Sequence, residues 1–160
     1  MKNLPDVILN HQQIHDILHR IAYQIWEELY GSPSVALVGV SERACRLSSH
    51  LYRIWQRFEG APPLRVFSYD TIKSDMALAL NGHRHMVLFD DVINTGATMF
   101  EVMGRVALLR PERVVITVLV NRDHLLFPVH PEIVGHTLST TYQEHIYVKL
   151  DKDNYHAVLA

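Results

Sequence analysis

Hydrophobic positions recur with two different periods along the first part of the chain. Over residues 10–30 apolar side chains return every three or four positions after Asn10, a residue type that caps helix N-termini, and Gly31 follows as a stop signal. The run VALVG at 35–39 is continuously apolar, and the helical period returns over Arg43–Arg57. This part of the sequence predicts a helix, a buried strand and a second helix.

The remaining apolar runs predict five more strands and one more helix. A helical period spans Thr95–Arg110 and stops at Pro111. Strand patterns occupy residues 64–70 (LRVFSYD), 86–91 (MVLFDD), 113–121 (RVVITVLVN), 146–150 (IYVKL) and 156–160 (HAVLA). Residues 122–143 contain prolines, a glycine and many polar side chains, so they predict a long loop of the kind that serves a site.

The alternation of strands and helices predicts an α/β fold. Strands that alternate with helices form a mostly parallel sheet with helices on both faces, joined by right-handed crossovers. Ligands of such sheets bind outside the carboxyl ends of the strands, where the loops after residues 39, 91 and 121 converge. The absence of a repeat or a linker composition predicts one domain over residues 1–160.

Composition and charge exclude several classes of protein. Of 160 residues, 48% are hydrophobic and 20% charged, which fits a globular domain rather than a disordered chain. The 15 Lys and Arg against 17 Asp and Glu give a net charge of −2, so a nucleic-acid binder driven by electrostatics is not expected. No apolar run approaches the roughly 20 residues of a membrane span, and the N-terminus lacks a signal-peptide pattern. Cys45 is the only cysteine, so the chain cannot form an internal disulfide. Because this fits a reducing compartment, we expect a cytoplasmic protein.

The segment MVLFDDVINTGATM carries the candidate chemistry. An apolar strand ends in Asp90 and Asp91, and a turn that contains Gly96 opens a helix. Backbone N–H groups over residues 94–98 would point outward at a helix N-terminus and bind a phosphate. Carboxylates accept hydrogen bonds from sugar hydroxyls, so a ribose phosphate is the expected ligand. The alternative is an ordinary strand-to-helix turn that binds no ligand, in which Thr95 is the N-cap of the helix and both acids are solvated.

Three histidines lie at helical spacing on the first predicted helix. His11, His15 and His19 are four residues apart, which could bring imidazoles together around a metal ion. A shared position beside the apolar stripe explains them equally well, and no acidic or cysteine ligand lies near them in the sequence. We favour the packing explanation.

The acidic strand and the following turn resemble the phosphoribosyl pyrophosphate signature of type I phosphoribosyltransferases. The resemblance extends over residues 7–27, 37–51 and 119–150, where the chain looks most like the family of bifunctional pyrimidine-operon regulators and uracil phosphoribosyltransferases. It implies a three-layer α/β fold with a small hood, for which we expect the N-terminal segment and residues 122–143. It also implies transfer of a phosphoribosyl group to a nucleobase, with uracil expected.

The same resemblance implies a role for each site residue. Asp90 and Asp91 would hold the ribose hydroxyls as catalytic residues, with Mg²⁺ bound through the diphosphate and through Asp90 or Asp91. The 5′-phosphate would contact Asn94, Thr95, Gly96, Ala97 and Thr98. The pyrophosphate would contact Ser41, Glu42 and Arg43. The base would contact Val134 and Gly135. We expect a homodimer without a membrane partner, and RNA is disfavoured because no basic cluster is visible.

The chain departs from that family's pattern before the acidic strand. The family places a long flexible lid there, whereas residues 71–85 are few and supply mainly Lys73. Because a lid excludes water and completes the contacts to the leaving group, we expect slow turnover. A non-catalytic regulator that binds phosphoribosyl pyrophosphate or a nucleotide is therefore the alternative function.

Overall fold

The computed structural model describes residues 6–152 and 154–160, which form eight strands and five helices. In chain order these elements are β1 (Asp6–Leu9), α1 (His11–Glu28), β2 (Val35–Gly39), α2 (Glu42–Trp55), β3 (Leu64–Ser68), α3 (Tyr69–Ile72), α4 (Met76–Ala79), β4 (His85–Ile93), α5 (Ala97–Ala107), β5 (Arg113–Asn121), β6 (Ile133–Thr137), β7 (Ile146–Asp151) and β8 (Asn154–Leu159). No helix within these residues is long and apolar enough to cross a membrane.

A five-stranded parallel sheet forms the centre of the fold. Its strand order is β3-β2-β4-β5-β6, and every neighbouring pair runs parallel. All five residues of β2 are buried, as expected for a strand that is covered on both faces. One hydrophobic cluster packs α1 and α2 on one face, and a second packs α3, α4 and α5 on the other. The predicted α/β architecture in three layers is confirmed.

The small sheet beside this centre is built differently from the predicted hood. Strands β1, β8 and β7 pair antiparallel in that order, so both ends of the described chain contribute to it. Residues 133–137 of the predicted hood instead form β6, the edge strand of the central sheet, with Thr117 opposite Ile133. The prediction of a long loop over 122–143 is wrong in this part because a five-residue strand with a central glycine gives little periodic signal.

Helix ends account for most differences from the predicted boundaries. Helix α1 begins after Asn10, which forms a reciprocal capping box with Gln13, and it ends before Leu29. Helix α2 begins one residue earlier than predicted because the Ser41 side chain caps it. The strand predicted over 64–70 ends at Ser68, where the chain turns into α3.

The connection between β3 and β4 is short, helical and anchored to the core. Ile72, Met76 and Leu80 are buried in the cluster that contains α5. The guanidinium of Arg105 donates hydrogen bonds to the Tyr69 hydroxyl, at 2.9 Å, and to the backbone carbonyl of Lys73. Anchoring of this kind opposes the opening and closing that a lid requires.

Two of the α1 histidines contact other elements by hydrogen bonds. His15 Nδ1 lies 2.9 Å from His50 Nε2 on α2, and His11 Nδ1 accepts a hydrogen bond from the Tyr155 backbone N–H on β8. Over residues 6–152 and 154–160, no three His, Cys, Asp or Glu side chains are placed to hold a metal ion. The histidines pack α1 against α2 and the small sheet.

Burial, together with the nearby His15, lowers the pKa of His50 to about 4. The unfolded chain binds a proton near pH 6.5, so the folded state loses stability as pH falls from about 6.5 to 4. We expect His50→Gln, which keeps a polar side chain and removes this titration, to reduce that loss.

The measurement is the midpoint of thermal unfolding at intervals from pH 4 to 8. His145→Gln changes an exposed histidine and serves as the control. Equal pH dependence in wild type and His50→Gln would contradict the assignment.

Candidate functional site

Two adjacent acids lie at the carboxyl edge of the central sheet, close to the end of β2. Gly39 is opposite Phe89, and the Val40 backbone N–H donates to the Phe89 carbonyl at 2.9 Å. This register places Ser41 beside the acids. Its hydroxyl lies 2.9 Å from Asp90 Oδ1 and 3.2 Å from Asp91 Oδ1.

The acid pair is buried without a positive partner. Asp90 and Asp91 are each 8% exposed, and no Lys, Arg or His among the described residues forms an ion pair with them. Burial, followed by the charge of Asp91, raises the pKa of Asp90 to about 8. Near neutral pH the pair therefore holds a proton, and it offers oxygen atoms to a cation or to hydroxyl donors.

A phosphate-sized cavity lies directly after the acids. Residues 94–96 form the turn before α5, and Gly96 adopts φ +84° at the N-cap position. The backbone N–H groups of Thr95, Gly96 and Thr98 have no hydrogen-bond partner among the described residues. They border a cavity of about 120 Å³ at the N-terminus of an 11-residue helix, an arrangement that binds anions.

The structure brings the predicted turn residues together, and the residue at the N-cap of α5 differs from the one in the alternative prediction. Residues 94–98 all line this cavity, as does Asp90. The alternative in which Thr95 caps the helix is wrong, because the cap is Gly96 and Thr95 Oγ1 only accepts from the Ala97 N–H at 3.3 Å.

The loop after β5 supports the turn from behind. The Thr95 carbonyl accepts hydrogen bonds from the N–H groups of Leu126, at 2.9 Å, and Phe127, at 3.2 Å. A Cβ atom on Gly96 would lie 2.7 Å from Val129 Cγ2. The turn is thus held in a backbone conformation that favours glycine, with its N–H groups on the open side.

A larger cavity adjoins the first one. It has a volume of about 520 Å³, and Thr98 lines both cavities. The other residues that line it are Val40, Ser41, Glu42, Cys45, Ser68, Tyr69 and Asp70. Of the predicted pyrophosphate residues, Ser41 and Glu42 border this space, whereas Arg43 is exposed on α2 and does not line it.

The predicted base segment lies on β6, at the edge of the sheet. Val134 and Gly135 are half-buried, and both of their carbonyls accept hydrogen bonds from Arg20 on α1. A Cβ atom on Gly135 would overlap the Leu119 carbonyl and would lie 2.6 Å from Ile17 Cγ2. Contact with α1 therefore fixes this segment, and no hydrogen bond joins it to the acids.

Sequence reasoning missed the connections between these parts. Ser41 was expected to face a leaving group, but its hydroxyl bonds the acids, a contact that depends on the β2–β4 register. Arg20 carried no signal because an exposed arginine on an amphipathic helix is ordinary. Ser68 is the last residue of β3 and Asp70 follows the strand, so their position at the carboxyl end of a parallel strand was the available signal.

Comparison with protein families and known sequences gives consistent matches. The phosphoribosyl transferase domain matches residues 6–153. The "bifunctional protein PyrR" of Halalkalibacterium halodurans is 30% identical over 164 residues, which covers 91% of each chain. The protein of the same name from Chloroflexus aurantiacus is 30% identical, covering 89% of this chain and 87% of its own.

Solved structures share the fold. A hypoxanthine-guanine phosphoribosyltransferase from Bacillus anthracis has a TM-score of 0.72 at 14% identity and covers 98% of this chain and 99% of its own. The hypoxanthine phosphoribosyltransferase of Trypanosoma cruzi has a TM-score of 0.70 at 14% identity, with 96% and 95% coverage. At these identities the likeness concerns the fold.

We expect Gly96→Ala to destabilise the protein by at least about 1 kcal/mol, since alanine is strained at positive φ and its Cβ would press on Val129. Gly104→Ala is the matched control, because Gly104 lies within α5 with open space around it and alanine favours a helix by roughly 0.5–1 kcal/mol. Urea denaturation measures both changes. Equal stability of the two variants would show that the turn is not constrained.

We expect Asp90→Asn to stabilise the protein at alkaline pH. Asn keeps the Oδ1 atom that accepts from Ser41 and from the Asp91 N–H, and it removes the charge beside Asp91. The raised pKa means that the folded state holds a proton the unfolded state has lost, so wild-type stability falls as pH rises from about 4 to 8.

The gain in unfolding free energy should therefore be small near pH 4 and reach about 1–3 kcal/mol at pH 8 and above. Asp151→Asn, at an exposed position on β7, is the control. Destabilisation by Asp90→Asn at pH 8 would contradict this account.

Proposed function

The chain belongs to the phosphoribosyl transferase domain family, as a PyrR-like member, and from this we propose that it transfers the phosphoribosyl group of phosphoribosyl pyrophosphate to a nucleobase. One observation carries the proposal. Two buried acids lie close to a turn at a helix N-terminus, and within the described residues the backbone N–H groups of Thr95 and Gly96 in this turn have no hydrogen-bond partner. Such a site suits a sugar that carries a phosphate.

The order of the cavities supports one placement of the substrate. The 5′-phosphate would bind in the small cavity, on the N–H groups of residues 94–98. The ribose hydroxyls would donate to Asp90 and Asp91. The diphosphate would extend into the larger cavity, beside Ser41 and Glu42.

The oxygen-rich surroundings suit Mg²⁺. Asp90, Glu42 and Asp70 line the two cavities and offer carboxylate oxygens, which Mg²⁺ prefers together with diphosphate oxygens. Asp90 or Asp91 would hold the ion. When bound, Mg²⁺ would neutralise the charge that develops on the leaving diphosphate.

The protein would act by positioning and electrostatics. The bond from C1 of the ribose to the diphosphate oxygen breaks, and its electron pair leaves with the diphosphate. A bond from C1 to a ring nitrogen of the base forms, and the proton of that nitrogen passes to the departing diphosphate. The turn and the acids would fix both ends of the ribose, so that C1 faces the base as positive charge develops on the ring. The buried carboxylates lie beside that charge and stabilise it.

We propose uracil as the base, bound at Val134 and Gly135. The backbone of β6 offers carbonyl and N–H groups at a fixed position, because α1 holds this segment through Arg20. Uracil presents alternating donors and acceptors on its edge, which a backbone segment can match. The choice of uracil rests on the resemblance of this segment to uracil phosphoribosyltransferases.

A second candidate is a regulator that binds the same ligand without turnover. The anchored helices between β3 and β4 favour it, since they provide no mobile cover for the site. Lys73 pairs with Asp70, which lines the larger cavity, and its ammonium group is a cation that could reach a diphosphate there. A second copy of this chain could also cover the site. Phe100, Leu126 and Phe127 are exposed apolar side chains that support a homodimer.

The test is release of pyrophosphate from phosphoribosyl pyrophosphate with Mg²⁺ and each of uracil, hypoxanthine, guanine, adenine and orotate. We expect release and nucleotide formation with uracil at less than the common enzymatic rate of about 10 s⁻¹, with some hydrolysis without a base. The double variant Asp90→Asn with Asp91→Asn should abolish both the release of pyrophosphate and the formation of nucleotide. Binding without turnover would favour the regulator, and no binding would reject both functions.

A further inference from the structure

The Ser41 hydroxyl is shared by three groups at the junction of the two cavities. It accepts a hydrogen bond from the Ala44 N–H at 3.1 Å, which caps α2. It also faces Asp90 Oδ1 at 2.9 Å and Asp91 Oδ1 at 3.2 Å, so its single proton is donated between two carboxyl groups. A helix cap needs only the first of these contacts.

The contacts divide the carboxyl oxygens into two sets. Asp90 Oδ1 accepts from the Ser41 hydroxyl and, at 2.9 Å, from the Asp91 backbone N–H. Asp91 Oδ1 accepts from Ser41. No hydroxyl, backbone amide or cation of the described residues reaches the Oδ2 atom of either acid. The Oδ2 atoms therefore have no such partner within these residues, and Asp90 lines the smaller cavity.

We infer that Ser41 is a positioning residue, which holds both Oδ1 atoms and so aims both Oδ2 atoms at the sugar. The inference rests on the proposed function and deepens it. It assigns a role in sugar binding to Ser41, the N-cap residue of α2 two positions after the end of β2, and it links the sugar subsite to the cavity proposed for the diphosphate.

Ser41 restricts the rotation of the two carboxyl groups about their terminal torsions. The terminal torsion of an aspartate is broad, so each carboxyl group can turn independently of the other. A hydroxyl between the two Oδ1 atoms favours one relative orientation. The fixed orientation lowers the entropy that a sugar with two neighbouring hydroxyls must lose on binding.

The start of α2 is close enough to the sheet for this contact because of Gly39. A Cβ atom at Gly39 would lie 2.9 Å from the Cys45 backbone nitrogen and Cα. Glycine therefore lets the first turn of α2 pack against the end of β2, with Ser41 in extended conformation between them. The hydroxyl is presented by a rigid helix start rather than by a free loop.

Substitutions at Ser41 separate the proposed role from capping. Thr keeps both the hydroxyl and the cap. Gly keeps an acceptable cap at a cost of only a few tenths of a kcal/mol but has no hydroxyl, and Asp is an excellent cap that cannot donate and adds a like charge. Ser49→Ala is the control, since Ser49 is exposed on the same helix and only donates to the Cys45 carbonyl.

The experiment measures the affinity for phosphoribosyl pyrophosphate with Mg²⁺ by calorimetry, and KM and kcat where turnover occurs. We expect wild-type affinity for Ser41→Thr and Ser49→Ala, a loss of about tenfold for Ser41→Gly with thermal stability nearly retained, and a larger loss for Ser41→Asp, whose added negative charge beside Asp90 and Asp91 also lowers stability. The KM for phosphoribosyl pyrophosphate should rise while the KM for the base stays constant. Wild-type affinity in Ser41→Gly, or a failure of Thr to preserve it, would overturn the inference.

A ligand-free crystal structure of Ser41→Gly tests the same inference without the proposed function. Rotation of at least one carboxylate away from the wild-type orientation supports the positioning role. Superposition of both carboxylates with wild type overturns it. If wild type does not bind phosphoribosyl pyrophosphate, the proposed function fails, and this structural comparison still decides the role of Ser41.

Discussion

Parallel pairing in register between β2 and β4 is the constraint on which the site depends. With Gly39 opposite Phe89, the end of β2 and the acids of β4 lie side by side, and the hydroxyl that follows β2 reaches both carboxyl groups. A slip of one residue would turn alternate side chains to the opposite face of the sheet and separate these groups. The same register brings the N-terminus of α5 beside the start of α2, so the two cavities share a wall.

Function and stability oppose each other at this edge. Burial of two adjacent carboxyl groups without a cation is unfavourable, and the raised pKa of Asp90 is a consequence of it. The positive φ of Gly96 and the unpartnered N–H groups of the turn have the same character. The surrounding core tolerates these costs because β2, β4 and β5 are almost completely buried between two layers of helices.

The sequence predicts those parts of the molecule that depend on local pattern. VALVG and MVLF are continuous apolar runs, so β2 and β4 follow from burial alone, and the acids and the turn follow from their place at the end of a strand. The small sheet, by contrast, depends on pairing between strands that are far apart in the sequence. Strand β6 has a weak hydrophobic pattern because Gly135 interrupts it. The contacts of Ser41 and Arg20 depend on register and on helix packing, which no local period encodes. The cap at Gly96 rather than Thr95 reflects a backbone conformation set by the loop after β5.

Pairing between the first and the last described strands has a consequence for synthesis on the ribosome. Asp6 of β1 is opposite Leu159 of β8, so β1 can complete its pairing only after residue 159 has been made. The five strands of the central sheet are complete once Thr137 has been made, and domains fold as their contacts become available during translation. The nascent chain can therefore assemble the central sheet and its acidic edge first, while the small sheet forms only after the hairpin of β7 and β8 has left the exit tunnel.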